Sequence, residues 1–233
     1  MIRINVVAEG YSEMFFAKQV LNNYFNGSRI IDSRCVLTST NHRTNYEYRG
    51  GMKSYERAKD DIVRWLLEDQ GAYVTTMFDF YQLPSDFPGF EQAMRLQDHR
   101  QCVELLEKDL REDISHQVPY SLRDHFVPYI QLHEFEALLF SDLHVLEYEY
   151  LDNQDRKALD ALCEETQGLA PEEINNGPQT APSKRLLKAL DYRKGSAPAQ
   201  WLELITVKRI CEKCPHFAAW INVLSNLNGL TDF

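Results

Sequence analysis

The sequence predicts an α/β fold: a parallel sheet covered by helices on both faces, followed by a mostly helical C-terminal part. Two observations carry this reading. Short β-branched runs alternate with helix-length amphipathic stretches as far as Asp79, the rhythm of strands joined by crossover helices. Beyond Asp142 no convincing strand remains, so residues 1–142 read as the α/β domain and 143–233 as a helical part packed on it.

The elements follow in order. Ile2 to Ala8 is a β-branched strand that stops at Glu9-Gly10. Ser12 to Phe25 carries Phe15, Phe16, Val20, Leu21 and Tyr24 in a helical stripe, with Ser12 as its N-cap. Arg29 to Leu37 is the second strand, and the polar stretch from Thr38 to Lys53, with His42, Arg43, Arg49 and the Gly50-Gly51 pair, reads as a loop. Ser54 to Glu68 is the second helix, and Tyr73 to Phe78 is the third strand, ending at Asp79. Leu83 to Gly89 holds two prolines and a glycine, which leave no regular ladder. Glu91 to Ser115 is helical with a break near Gln97-Asp98. Phe126 to Leu132 is a fourth strand interrupted by Pro128, as an edge strand tolerates, and it leads into the strong helix formers of His133 to Phe140. The rest reads as short helices punctuated by Gly168, the Gly177-to-Pro182 loop and Gly195 to Pro198.

Composition narrows the class. Apolar residues at 44% and aromatics at 12% of 233 residues supply core enough for one or two domains and exclude global disorder. No apolar run approaches the ~18 residues of a membrane span, and MIRINVVAEG lacks the basic start and cleavage site of a signal peptide. A cytoplasmic protein without a membrane partner is therefore expected. Five cysteines without a secretory signal predict free thiols. Thirty-five acidic against 25 basic side chains give a net charge of −10, which opposes non-specific attraction to nucleic acid. Any such contact must be local, metal-assisted or delivered by a partner.

Open parallel sheets build their sites at the carboxyl ends of the strands. There Glu9 closes the first strand, Asp79 closes the third, and His133, Glu134 and Glu136 follow the fourth. Carboxylates from three segments suit a hard divalent ion such as Mg2+ or Mn2+, and two such ions clamp the attacking and leaving oxygens of a phosphodiester. Glu13, one helical turn past Glu9, projects back toward the strand end across Gly10. It equally suits the helix dipole and a capping box. Glu9 and Asp79 also suit plain strand-end turns, Glu134 and Glu136 a solvated helix start, and His133 either a structural or a catalytic role.

Val7-Ala8-Glu9-Gly10-Tyr11-Ser12-Glu13 resembles the opening glutamate motif of Toprim domains, in the E-G-x-x-E form of the overcoming-lysogenization-defect (OLD) nucleases. Arg49-Gly50-Gly51, Asp79-Phe80-Tyr81-Gln82-Leu83-Pro84 with Asp86-Phe87-Pro88-Gly89, His133 through Phe140, Ala181-Pro182-Ser183-Lys184-Arg185 and Cys214-Pro215-His216-Phe217 carry a second resemblance over nearly the full length. They are similar to the bacterial family catalogued as domain of unknown function 4276. Together the resemblances imply a Toprim-like sheet and a Mg2+ or Mn2+ site with Glu9, Glu13 and Asp79. Toprim domains carry Asp-x-Asp where this chain reads Asp79-Phe80-Tyr81. Asp86, or the pair of Glu134 as a metal ligand and Glu136 as a catalytic carboxylate, then stands in for the second aspartate.

From Pro182 to Lys213 eight basic residues face three acidic ones, which reverses the overall sign. Arg49, Lys184, Arg185, Lys194 and Arg209 are the expected nucleic-acid contacts, with Ser183 and the helix start it would cap adding backbone donors; a solvated helix face has the same composition. The family resemblance adds Lys184 to Glu9, Asp79 and Glu136 as catalytic. Cys211-Glu212-Lys213-Cys214 with His216 lacks a second ligand pair for zinc and reads as core-facing thiols beside Ile210, Phe217 and Trp220. The expected function is a metal-dependent nuclease acting on DNA or RNA, working in phage defence beside an AAA- or ABC-type ATPase, with homo-oligomer formation compatible. The alternative is a non-catalytic interaction or sensor subunit of such an ATPase complex. Metal binding separates the two.

Overall fold

A computed structural model describes residues 1–41, 46–49, 51–174, 177, 180–190 and 197–228, without the side chains of 37–49 and 197. The chain opens with β1 (Ile2–Ala8) and runs through α1 (Tyr11–Phe16), a π-helical turn (Ala17–Leu21) and α2 (Asn22–Phe25) into β2 (Arg29–Cys35). β3 (Leu37–Asn41) and β4 (Tyr46–Arg49) come next, then α3 (Tyr55–Glu68) and β5 (Ala72–Asp79). α4 (Phe90–Ala93) and α5 (His99–Gln117) precede β6 (Phe126–Val127) and β7 (Ile130–Gln131). The described residues after β7 form helices only: 3-10 stretches and α6 (Asn153–Glu165), α7 (Pro182–Ala189), α8 (Ala197–Ile205), α9 (Val207–Lys213) and α10 (Pro215–Asn226).

The main sheet is parallel throughout, in the order β2-β1-β5-β6, with β7 also on β5. β5 is buried at every residue and β1 over its last five, as expected of central strands covered on both faces. Side-chain alternation divides the core in two. Ile4, Val6, Tyr73 and Met77 join Phe16, Leu21, Phe217 and Trp220 on one side; Val7, Val74 and Phe78 join Ile62, Trp65 and Leu106 on the other. The C-terminal helices thus complete the α1 face of the sheet. Tyr129 stacks on Trp220 with centroids 4.2 Å apart, and the Trp220 Nε1–H donates to Thr75 Oγ1 at 2.9 Å.

Three local expectations need correction, and the expected interruption at Pro128 takes a specific form. The first helix starts from Gly10, not Ser12, because the Glu13 carboxylate accepts the Gly10 N–H at 3.0 Å; a Cβ on residue 10 would come within 2.9 Å of Glu13 Oε2. Much of the stretch expected as a loop is the antiparallel hairpin of β3 and β4, a ladder held by main-chain bonds that a polar sequence does not advertise. Pro128 splits the fourth strand into β6 and β7; the N–H and carbonyl of Tyr129 both pair with Thr76 Oγ1 instead, each at 2.8 Å. The segment after His133 forms a 3-10 stretch (Phe135–Ser141) and not an α-helix, being buried on nearly every side, so packing overrides helix propensity. The expected break before α5 is present, with Asp98 capping through the Arg100 N–H at 2.9 Å. The five cysteines are free, and no helix among the described residues is long and apolar enough to cross a membrane.

Candidate functional site

Glu9 directly follows β1, Asp79 is the last residue of the adjacent β5, and the sheet brings the two together. The Asp79 N–H donates to Glu9 Oε2 at 2.9 Å, while the Glu9 carbonyl accepts the Gly51 N–H at 2.8 Å. Glu13, on the first turn of α1, points back to the Gly10 N–H. From the far side, Glu134 Oε2 accepts the N–H of Ser183 at the start of α7, at 3.0 Å. Glu9, Glu13, Asp79, Glu134 and Glu136 are all buried.

These carboxyl groups act on one another. Burial first, then the charges of Glu13, Glu9, Glu136 and Glu134, hold Asp79 well above the ordinary aspartate range. Burial likewise pushes Glu13 up to about 7, with Glu9 and Glu136 adding to the shift against its backbone hydrogen bonds. Asp79 Oδ1 is buried and has no hydrogen-bond partner. Among the described residues no set of three His, Cys, Asp or Glu side chains is arranged to hold a metal ion. The donor chemistry nevertheless fits a hard divalent cation: every group is a carboxylate oxygen, and one of them is an orphan in a strongly repulsive pocket.

Asp86 stands apart, since both its oxygens accept the Tyr55 N–H at the start of α3, at 3.1 and 3.2 Å. Tyr81, at the position where a second aspartate is expected, is 40% exposed and donates its N–H to the His133 carbonyl at 3.3 Å. His133 has a left-handed backbone, φ 66°, and its Nε2–H donates to the Glu172 carbonyl at 2.8 Å. Burial, helped by His99, pushes this imidazole down to about 4.

Of the expected cations, Lys184 is exposed on the first turn of α7. Arg185 is buried and turned the other way, bonding Glu165 and the Thr180 carbonyl. Arg209 pairs with Glu212 at 3.3 Å and Asp142 at 3.8 Å. Lys194 lies outside the described residues, with His42, Arg43 and Gly50, and so does the side chain of Arg49. The backbone donor at Ser183 goes to Glu134. Cys214 is buried against Ser141 Oγ at 3.4 Å, and burial pushes the Cys211 thiol up to about 11.

Sequence reasoning passed over Glu172. Its carboxylate caps α10 through the N–H groups of His216 and Phe217, both at 2.9 Å, while its carbonyl fixes His133. Nothing in Pro171-Glu172-Glu173 separates it from a solvated acidic turn; a buried acid facing an uncapped Pro-started helix is visible only in three dimensions.

The profile of the family described as Domain of unknown function (DUF4276) matches residues 8–225. The chain belongs to the DUF4276 family. No curated protein and no solved structure matches it. The span shared with DUF4276 holds all five acids of the cluster, together with α7 and most of α10.

Proposed function

We propose that this DUF4276 chain is a metal-dependent phosphodiesterase acting on DNA or RNA, with Mg2+ or Mn2+ held by Glu9, Glu13, Asp79 and Glu134. The observation that carries the reading is the burial of five carboxyl groups at the carboxyl edge of a parallel sheet, four of them raising Asp79, whose Oδ1 has no hydrogen-bond partner. Burying several carboxylates side by side is costly, and a cation with oxygen ligands offsets that cost. The resemblance of Glu9-Gly10-Tyr11-Ser12-Glu13 to the Toprim and OLD motif supports the same assignment.

A divalent cation bound there supplies Lewis-acid stabilisation of the charge that develops on a phosphodiester under attack by water. The chain does the orienting. The N–H groups of Asp79, Gly10 and Ser183 fix the carboxylates of Glu9, Glu13 and Glu134. Glu136, buried beside Glu13 and Asp79, takes the proton of the attacking water as the P–O bond to the leaving oxygen breaks, and that oxygen departs as the alcohol with a proton from solvent. Lys184 neutralises phosphate charge from the exposed first turn of α7. An acidic chain neutralises few phosphates by itself, so an AAA- or ABC-type ATPase partner in a phage-defence setting supplies further affinity.

Incubation of the purified protein with single- and double-stranded DNA and with RNA tests this. Slow cleavage that requires Mn2+ or Mg2+ is expected, falling to background in Glu9→Gln and Asp79→Asn. Cleavage by Asp79→Asn at the wild-type rate would overturn the reading. The lack of a ready-made three-residue metal set among the described residues, with Tyr81 in place of an acid, favours a second reading as a non-catalytic subunit of an ATPase complex. That reading requires that Mn2+ titration calorimetry give no heat and that no partner elicit cleavage.

A further inference from the structure

The two segments that deliver the acids also deliver aromatic rings. Phe80 and Tyr81 follow Asp79, and His133 precedes Glu134. Phe80 stacks on Tyr81 with centroids 5.9 Å apart and 27° between planes. Tyr81 leans on His133 at 5.4 Å, His99 meets His133 edge-on at 5.1 Å, and His99 packs on Phe80 at 5.8 Å, which closes a cycle of four rings. Phe80 and His133 are its buried members; Tyr81 and His99 are its exposed ones. A cavity opens on either side of His99. One, of about 230 Å³, is walled by Phe80, Tyr81, Met94 and Leu96. The other, of about 430 Å³, runs past His133 between Leu132, Ala170 and Pro215.

The polar chemistry of this place is that of an acceptor. Since a carbonyl can only accept, the His133 Nε2 in contact with Glu172 carries the proton, and Nδ1 carries a lone pair. His133 is 2% exposed, and this Nδ1 has no hydrogen-bond partner. Buried acceptors are rarely left unmade, and a ligand donor would satisfy this one. The surrounding charge disfavours an anion: Arg100 is paired with Glu104 at 3.1 Å, and Asp98, Glu172 and Glu173 stand in the wall. An uncharged flat heterocycle bearing N–H donors suits both the rings and the acidic wall.

We propose that the two cavities flanking His99 together seat one nucleobase of a single-stranded nucleic acid, stacked on Tyr81 and His99 from the smaller, with His133 Nδ1, on the side of the larger, accepting a hydrogen bond from the base or its sugar. The seat adjoins Asp79 and Glu134, so it would hold the neighbouring phosphodiester against the carboxylates. That last step rests on the phosphodiesterase reading; the base seat does not. Tyr81 then has a use of its own: where a second metal acid is expected, this chain presents a stacking surface, which every base can use because every base has a π face.

The test uses the full chain in EDTA, so that nothing is cleaved, with short single-stranded oligonucleotides carrying 2-aminopurine in deoxy and ribo forms. Stacking quenches this fluorophore. Saturable quenching is expected, with affinity about tenfold weaker in Tyr81→Ala and in His99→Ala, both at exposed positions, and within about twofold of wild type in Tyr81→Phe. Comparison of the two sugar forms shows whether the seat takes DNA, RNA or both. Unchanged fluorescence with wild-type protein overturns the proposal, as does unweakened binding by both alanine variants. Quenching without any metal-dependent cleavage retains the base seat and removes the phosphodiesterase; cleavage without quenching does the reverse.

Discussion

Ser183 donates its N–H to Glu134, yet its hydroxyl is buried and has no hydrogen-bond partner. Main chain and side chain therefore have opposite effects at one residue. Replacement by alanine keeps the anchor and removes a buried polar atom, so Ser183→Ala is expected to leave stability unchanged or to raise it by up to about 1 kcal/mol in urea unfolding. A loss of stability would mean the hydroxyl is bonded in solution. At this scale much of the site was legible: Glu9 and Asp79 follow from strand ends, and Glu13 from its helical spacing to Glu9. What was hidden depends on long-range partners. The burial of Arg185 against Glu165, twenty residues away, leaves no mark in a basic stretch that reads as a solvated face.

Thr76 shows how one side chain repairs an element. Pro128 has no N–H, and the strand it interrupts is rejoined to β5 because Thr76 Oγ1 accepts from Tyr129 N and donates to the Tyr129 carbonyl. Thr76→Val keeps the shape and abandons both backbone groups in a buried setting. A loss of about 2–4 kcal/mol is expected from urea unfolding, with Thr76→Ser recovering most of it. Equal stability of the valine and serine variants would show that water reaches Tyr129. The sequence announced the interruption through Pro128 and the parallel strands through their β-branched runs. It did not announce the β3–β4 hairpin, whose pairing lies in main-chain bonds, or the 3-10 course after Glu134, where burial on all sides replaces the helical stripe that pattern reading relies on.

Across the whole molecule, the two cores share one sheet and are also tied beyond its edge. His216 at the start of α10 donates through Nε2 to Glu107 Oε1 on α5 at 3.0 Å, and the same oxygen accepts the Ile130 N–H at 2.8 Å. Burial works against the proton on His216, but the Glu107 hydrogen bond and charge, aided by Glu172, outweigh it and hold the imidazole above its ordinary value of 6.5. A raised value in the folded state contributes stability that is complete below 6.5 and is lost as the pH rises through the folded value. The stability lost on Glu107→Gln, which still accepts from Ile130, is therefore expected to be largest near pH 6 and to shrink as the pH rises, while the raised carboxyls of Glu13 and Asp79 add the same further decline to both proteins. A loss that stays the same across this range would assign the dependence elsewhere.

The register of the two central strands has one more consequence. Ala8 pairs with Met77, so by continuation Glu9 stands opposite Phe78 and Asp79 lies one residue, ~3.3 Å, farther along. The longer acid belongs to the strand that stops short, and its extra methylene lets Glu9 Oε2 reach the Asp79 N–H. Strand spacing is fixed by the ladder, so side-chain length is the vernier that sets where the Glu9 carboxylate meets the Asp79 main chain. Exchanging the two acids would preserve composition and charge and forfeit that meeting point.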